Sequence, residues 1–131
     1  MNKLFYPAVF ELEESGGFTV TFPDVKECMT CGDNMEQAYE MAVEALGLVL
    51  SYMEDEGEAF PKASLPQDIT VKQGQFVVVV EFDMLAYRKK INGRAVKKTL
   101  SIPAWLNEEA LSQNINFSQV LQEALMMKLG L

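Results

Sequence analysis

The chain has 131 residues, of which 49% are hydrophobic and 23% charged, and it carries a net charge of −8 at pH 7. This suits one ordinary domain or two very small ones of a folded soluble protein. No run of about 18 apolar residues exists, which excludes a membrane span, and no basic segment leads into an apolar core at the N-terminus, so a signal peptide is not expected and the default compartment is the cytoplasm.

Lys3 to Leu12 (KLFYPAVFEL) is rich in strand formers, and Pro7 inside it predicts an edge position or a bulge. "EESGG" is a turn. Phe18 to Phe22 (FTVTF) alternates and predicts a second strand. "PDVKE" breaks it, and Cys28 to Thr30 predicts a short third strand. In "GDN", Asn34 is placed to cap a helix, with Gln37 three residues on in the capping-box position. Ala38, Ala42, Ala45, Leu46, Val49, Leu50 and Met53 then recur at helical spacing, predicting an amphipathic helix from about Met35 to Asp55.

The polar stretch "EDEGEAFPKASLPQD" predicts a loop, and Ile69 to Lys72 a short strand. Phe76 to Phe82 (FVVVVEF) predicts a strong strand, apolar enough to be buried on both faces. The order β-β-β-α-β gives a small α+β sheet with one helix packed on it. "DMLAYRKKINGRA" predicts a short helix and then a linker, which divides the chain into a domain over 1–87, a linker over 88–95 and a second domain over 96–131.

Val96 to Ile102 alternates strictly and predicts a lone strand. Pro103 stands as a first helical residue. Leu106, Ala110 and Leu111 predict a short helix ending near Asn114. Asn116 caps a second helix, with Gln119 in the capping-box position and Phe117, Val120, Leu121, Ala124, Leu125 and Leu129 on its apolar face.

The charge is uneven. Residues 1–87 hold 4 basic and 16 acidic residues, net −12, whereas 88–131 hold 7 basic and 3 acidic, net +4. Such asymmetry suggests two regions with different partners. An acidic body repels nucleic acid and attracts a basic protein, and a short basic stretch can hold phosphate. The acids Glu36, Glu40, Glu44, Glu54, Asp55 and Glu56 cluster on the long helix and the loop after it. A solvated face is the bland reading of such a run; the net charge favours docking of a basic partner.

Cys28 and Cys31 form a C-x-x-C, and the chain has no histidine. Zinc needs four protein ligands, and nothing here supplies the other two. A redox C-x-x-C opens a helix after a strand, which is not the expected setting here. Two ordinary thiols are the reading, with redox chemistry or an intersubunit metal as alternatives. No cofactor or metal is expected.

A 36-residue piece without disulfide or metal rarely buries enough surface to fold alone. Association with a second copy is the economical solution. Two copies of the Val96–Ile102 strand can pair antiparallel, with Leu100 and Ile102 facing the helices and Leu106, Val120, Leu121 and Leu125 completing a shared core. Lys97, Thr99 and Ser101 then lie on the open face. A two-stranded ribbon fits the DNA major groove, where lysine and hydroxyl groups read base edges. The helix start Asn116-Phe117-Ser118 offers free backbone N–H groups to a phosphate, and Arg94 and Lys98 of the basic run join the candidate DNA contacts. Trp105 is read as packing rather than as a base contact.

At these residues the sequence resembles a known family. "KKTLSIPAWLNEEALSQNINFSQVLQEALMMKLG" looks like a ribbon-helix-helix domain of the Arc/MetJ type, on the strand, the proline opening one helix and the turn "NINFSQVLQEAL" opening the next. "GGFTVTFPDVKECMTCGDNMEQAYEMAVEAL" resembles the N-terminal domain of HicB antitoxins, matching at Gly16, Gly17, Phe18, Phe22, Pro23, Asp24, Cys28, Thr30, Gly32, Asp33 and Ala38. Lys26-Glu27 stands where many relatives have Pro-Gly, and Cys31 falls at a variable position.

The resemblance implies an antitoxin of a type II toxin–antitoxin system. It implies an N-terminal partial ribonuclease-H-like domain that neutralises a HicA-type mRNA-cleaving toxin. It also implies a C-terminal domain that dimerises and represses the operon by binding operator double-stranded DNA. Two ribbons sit on one operator if the N-terminal domains also associate, giving a higher homo-oligomer. Catalysis is not expected, since ribonuclease H chemistry gathers several carboxylates around magnesium and KLFYPAVFEL has no central Asp or Glu. The alternative is a stand-alone transcriptional regulator whose N-terminal domain senses a small ligand.

Overall fold

The computed structural model describes residues 3–131. The chain forms two compact units, one up to Arg94 and one over Ala95–Leu131.

In the first unit the strands are β1 (Lys3–Leu12), β2 (Phe18–Thr21), β3 (Met29–Gly32) and β4 (Gln75–Asp83), and the helices are α1 (Met35–Asp55) and α2 (Met84–Ile91). The strands make one antiparallel sheet in the order β3-β2-β1-β4. The predicted β-β-β-α-β order and the limits of α1 hold. The β1–β2 turn is closed by the Glu13 N–H donating to the Gly17 carbonyl at 2.8 Å, with Gly16 at φ +92°, a conformation that a side chain would strain.

β1 is an inner strand of the sheet, but Pro7 itself stands at a local edge, as expected. Its lack of an N–H is tolerated because β2 pairs with β1 only from Val9 onward, while Pro7 stands opposite Val79 of β4. At Pro7 the strand has a neighbour on one side alone, so no ladder bond is lost there.

The core lies between one face of the sheet and α1. Tyr6, Ala8 and Phe10 of β1, Val20 of β2, and Val80 and Phe82 of β4 meet Ala38, Ala42, Leu46 and Leu50 of α1. Phe10, Phe18 and Phe76 close one end as a ring cluster, with centroids 5.7 to 6.1 Å apart. β4 is not buried on both faces as expected: Val79 is 43% exposed. Its valine run looks like a double-sided strand, but it is the outer strand of the sheet and the helix covers only the Val80–Phe82 side.

Asn34 caps α1, its side chain accepting the Gln37 N–H at 2.8 Å, and the Gln37 amide oxygen accepts the Asp33 N–H in return. Two backbone approaches then seat the helix start on the sheet. A Cβ on Gly17 would stand 2.7 Å from the Gly32 carbonyl oxygen, and one on Gly32 would run into the Ala38 backbone. Between β2 and β3, Val25 N–H donates to the Phe22 carbonyl and Cys28 N–H to the Val25 carbonyl. Lys26 and Glu27 therefore close this turn with neither at positive φ.

The predicted strand over Ile69–Lys72 does not form. That stretch follows a single 3-10 turn at Pro66–Asp68 and closes with the Gln75 N–H on the Lys72 carbonyl at 3.0 Å. The whole loop is tied elsewhere: the Tyr6 hydroxyl donates to the Pro61 carbonyl at 2.6 Å, and Asp24 accepts the Ser64 N–H at 2.9 Å and its hydroxyl at 2.6 Å. Residues 88–91, expected in the linker, form the last turn of α2, which Asp83 caps by accepting the Ala86 N–H at 3.0 Å.

The second unit holds α3 (Ala104–Ser112) and α4 (Phe117–Leu129), preceded by Ala95–Pro103 without regular structure. Val96–Ile102, expected as a strand, has no partner strand within the single chain. Pro103 stands just before α3 rather than as its first residue. Asn114 at φ +55° ends that helix, with the Ile115 N–H reaching back to the Ala110 carbonyl at 3.1 Å. No helix among the described residues is long and apolar enough to cross a membrane.

Replacing Gly32 by alanine should cost about 2 kcal/mol or more, because its Cβ meets backbone that cannot step aside. Leu48→Ala, at a site 68% exposed, should stay within about 0.5 kcal/mol. Urea unfolding of the two variants measures the difference, and equal midpoints would remove the close approach as a determinant of the fold.

Candidate functional site

The second unit has no interior of its own. None of its residues is buried; only Ala110 and Leu121 are half-buried. Its apolar side chains surround a groove of about 580 Å³ instead. Leu100, Ile102, Leu106, Val120 and Leu121, predicted as a shared core, line this groove; Leu125 does not. Ala110, Ile115, Phe117 and Ala124 line it as well. Of these, Ile115 escaped the sequence reading because it sits in the turn between two periodic segments, where spacing gives no signal.

The candidate DNA contacts separate by alternation. Lys98 lines the groove with Leu100 and Ile102, whereas Lys97, Thr99 and Ser101 do not, and all three are exposed. Two-residue periodicity thus puts Lys98 on the apolar side. Arg94 is exposed after the end of α2 and is the last residue of the first unit. Asn116 caps α4, its side chain accepting the Gln119 N–H at 3.0 Å. That bond takes up the Gln119 donor and leaves the N–H groups of Phe117 and Ser118 at the head of the helix.

The six candidate acids are all exposed. At 100° per residue, Glu36, Glu40, Glu44 and Glu54 fall within an arc of about 80° on α1, so the helix does bring them to one side. Two of them are partnered inside the unit. Glu54 pairs with the Arg88 guanidinium, and Glu44 lies 3.7 Å from the Lys90 ammonium. Part of the basic run therefore stands on a helix beside the acidic one. By structural unit, residues up to Arg94 hold 8 basic and 16 acidic residues, net −8, and Ala95–Leu131 hold 3 of each.

Cys28 is buried in the core just before β3, and Cys31 is exposed; both are free. Burial pushes the Cys28 thiol up to about 11. Tyr6 is likewise raised, first by burial and then by the nearby Asp24 carboxylate. The hydrogen bond from Lys3 to Glu81, with N and O 3.0 Å apart, raises the Lys3 ammonium. Among the described residues no three cysteine or acidic side chains converge to hold a metal ion.

Comparison with known proteins bears on most of the chain. A family model described as HicB_like antitoxin of bacterial toxin-antitoxin system matches residues 6–124. The curated protein Antitoxin HicB 1 of Photorhabdus laumondii is 41% identical over 61 residues, 47% of this chain and 39% of the relative's length. A solved toxin–antitoxin complex from Streptococcus pneumoniae is similar in fold, with a TM-score of 0.61 at 24% identity over 96% of this chain and 99% of that one. The Burkholderia pseudomallei antitoxin HicB has a TM-score of 0.56 at 18% identity, over 94% and 96% of the two chains.

The two thiols should behave differently. Under native conditions a disulfide-exchange reagent should titrate one thiol per chain, Cys31, and a second only after denaturation. The raised Cys28 thiol adds stability that is complete below about pH 9, where the unfolded thiol still keeps its proton, and that fades as the pH rises towards 11. Two fast thiols in the native protein would contradict the burial of Cys28.

Proposed function

The chain belongs to the HicB-like antitoxin family, and from that premise we propose that it neutralises a HicA-type mRNA-cleaving toxin through its first unit and represses its own operon through its second. The observation that carries the DNA-binding half is the exposed core of the second unit. Two helices, the second capped by Asn116, and an alternating segment, none of it buried, suit a ribbon-helix-helix half that a second copy completes.

In the dimer, the two Val96–Ile102 segments pair antiparallel and fill the groove with Leu100 and Ile102 from both chains. Lys97, Thr99 and Ser101 are left on the outer face of the ribbon, at the depth and width that the DNA major groove accepts. The N–H groups of Phe117 and Ser118 at the head of α4 hold a phosphate, and Arg94, two positions before the segment in the chain, is a further candidate contact. Lys98, on the groove side, contributes its stem to the core and its ammonium to the rim.

The first unit is read as the partial ribonuclease-H-like domain of the family. Its net charge of −8 suits a basic partner and does not suit nucleic acid. Its role is to occupy the toxin and leave the RNA chemistry to that protein.

The reading is tested by expressing the full chain with the small protein encoded beside it. The wild type should restore growth and shift operator DNA. Lys97→Ala/Thr99→Ala should lose operator binding by at least about 30-fold, since each base contact is worth roughly 1–3 kcal/mol, and should still restore growth. Loss of both activities together would sink the division of labour between the units.

A further inference from the structure

The first unit carries a groove of its own, which meets the acidic stripe of α1 at Glu44. It has a volume of about 670 Å³ and lies between α1, the end of β4 and α2. Its walls are apolar: Val43 and Leu48 from α1, Phe82 from β4, Tyr87 and Ile91 from α2. Leu48 is 68% exposed and Ile91 57%. Large apolar side chains this exposed, lining the same groove, mark a surface for another protein.

The shape is fixed by packing. Gly47 lets α2 lie close, because a Cβ there would strike the Tyr87 ring. The ring in turn packs on Phe82 at 5.5 Å. At this end of β4 the Glu81 N–H already donates to the Tyr39 hydroxyl at 3.2 Å, so it is not free for an added strand. What remains open is a site for side chains.

The rim is acidic. Glu44, Glu81 and Asp83 line the groove with Lys90; Glu81 is also held by the Lys3 ammonium at 3.0 Å, and Asp83 spends one oxygen on the α2 cap, so Glu44 is the acid most open to a partner. Glu40 and Glu36 continue from Glu44 along α1, one and two turns back. The Lys90–Glu44 contact is long and exposed, so it is an inexpensive one to exchange for a partner's cation.

We propose that this groove is where the chain receives its basic protein partner. An apolar side chain of the partner enters between Leu48 and Ile91, and lysine or arginine groups beside it meet Glu44, Glu81 and Asp83. The proposal rests on the antitoxin reading, in which that partner is the toxin. Of the six candidate acids it keeps Glu44 at the contact, leaves Glu54, Asp55 and Glu56 outside it, and gives the rest of the stripe a steering role towards the groove.

The test uses the full chain and the toxin of the same operon. Leu48→Ser/Ile91→Ser removes two exposed side chains without adding charge, so the fold and operator binding should be kept. Toxin affinity, measured by calorimetry, should fall at least about 30-fold, as for a buried anchor. Glu44→Gln should slow association at low salt and leave it nearly unchanged at high salt. Unchanged affinity in the double variant, or a loss produced only by changes at Asp55 and Glu56, overturns the groove assignment and leaves the antitoxin reading standing. A wild-type chain that does not bind the toxin overturns both.

Discussion

Conformational entropy sets the terms for the second unit. Ordering a residue costs roughly 1–2 kcal/mol in backbone freedom alone, and burial of apolar surface is what normally offsets it. Ala95–Leu131 has no buried residue to supply that term. Its local signals are nevertheless strong: Asn116 caps α4, Asn114 terminates α3 at positive φ, and Gly130 ends α4 in the left-handed region. Capping specifies where helices begin and end, at about 1 kcal/mol each. It does not hold two helices against each other. In the proposed dimer the missing interior comes from the second copy, so folding of this unit and its dimerisation are one event.

The first unit is built the other way. Its sheet and α1 enclose Phe10, Val20, Leu46, Leu50, Val80 and Phe82 completely, and backbone rather than side-chain contact brings the helix start down on the sheet through Gly17, Gly32 and Ala38. The residues that carry the family resemblance have separate physical tasks. Gly32 lets the chain turn closely into α1, Phe22 and Cys28 fill the core, and Asp24 ties down the long loop through Ser64. A self-sufficient unit can present its outer surface to a partner without depending on it for folding.

The limits of α1 were legible because cap, capping partner and apolar period all agree between Asn34 and Met53. The single-sided burial of β4 was not. A valine run reads the same whether one layer or two cover the strand, and only the sheet order, which puts β4 outermost, decides it. The last turn of α2 was hidden by its charge: Arg88, Lys89 and Lys90 read as linker. Yet Asp83 sat in plain view as a cap, and Met84 and Tyr87 stand three apart on the packed side. The groove of the first unit joins Leu48 to Ile91, 43 positions on in the sequence. No spacing rule brings such residues together, so the acids next to them in the chain drew the attention instead.

Charge reads differently once the units are known. Counted by halves of the sequence, the C-terminal part is basic; counted by structural unit, Ala95–Leu131 is neutral and Arg88, Lys89 and Lys90 belong with the acidic body. Two of those cations already face Glu54 and Glu44. Attraction to DNA in the proposed dimer is therefore local. Within the unit it depends on Lys97 and Lys98 near its start, while Glu108, Glu109 and Glu123 lie on the helices. Counterion release follows the phosphates contacted, not the net charge of the protein. A neutral unit with few cations gains little from non-specific contact with phosphates, so in the proposed dimer the discrimination between operator and other sequence would rest more on the side chains of Lys97, Thr99 and Ser101.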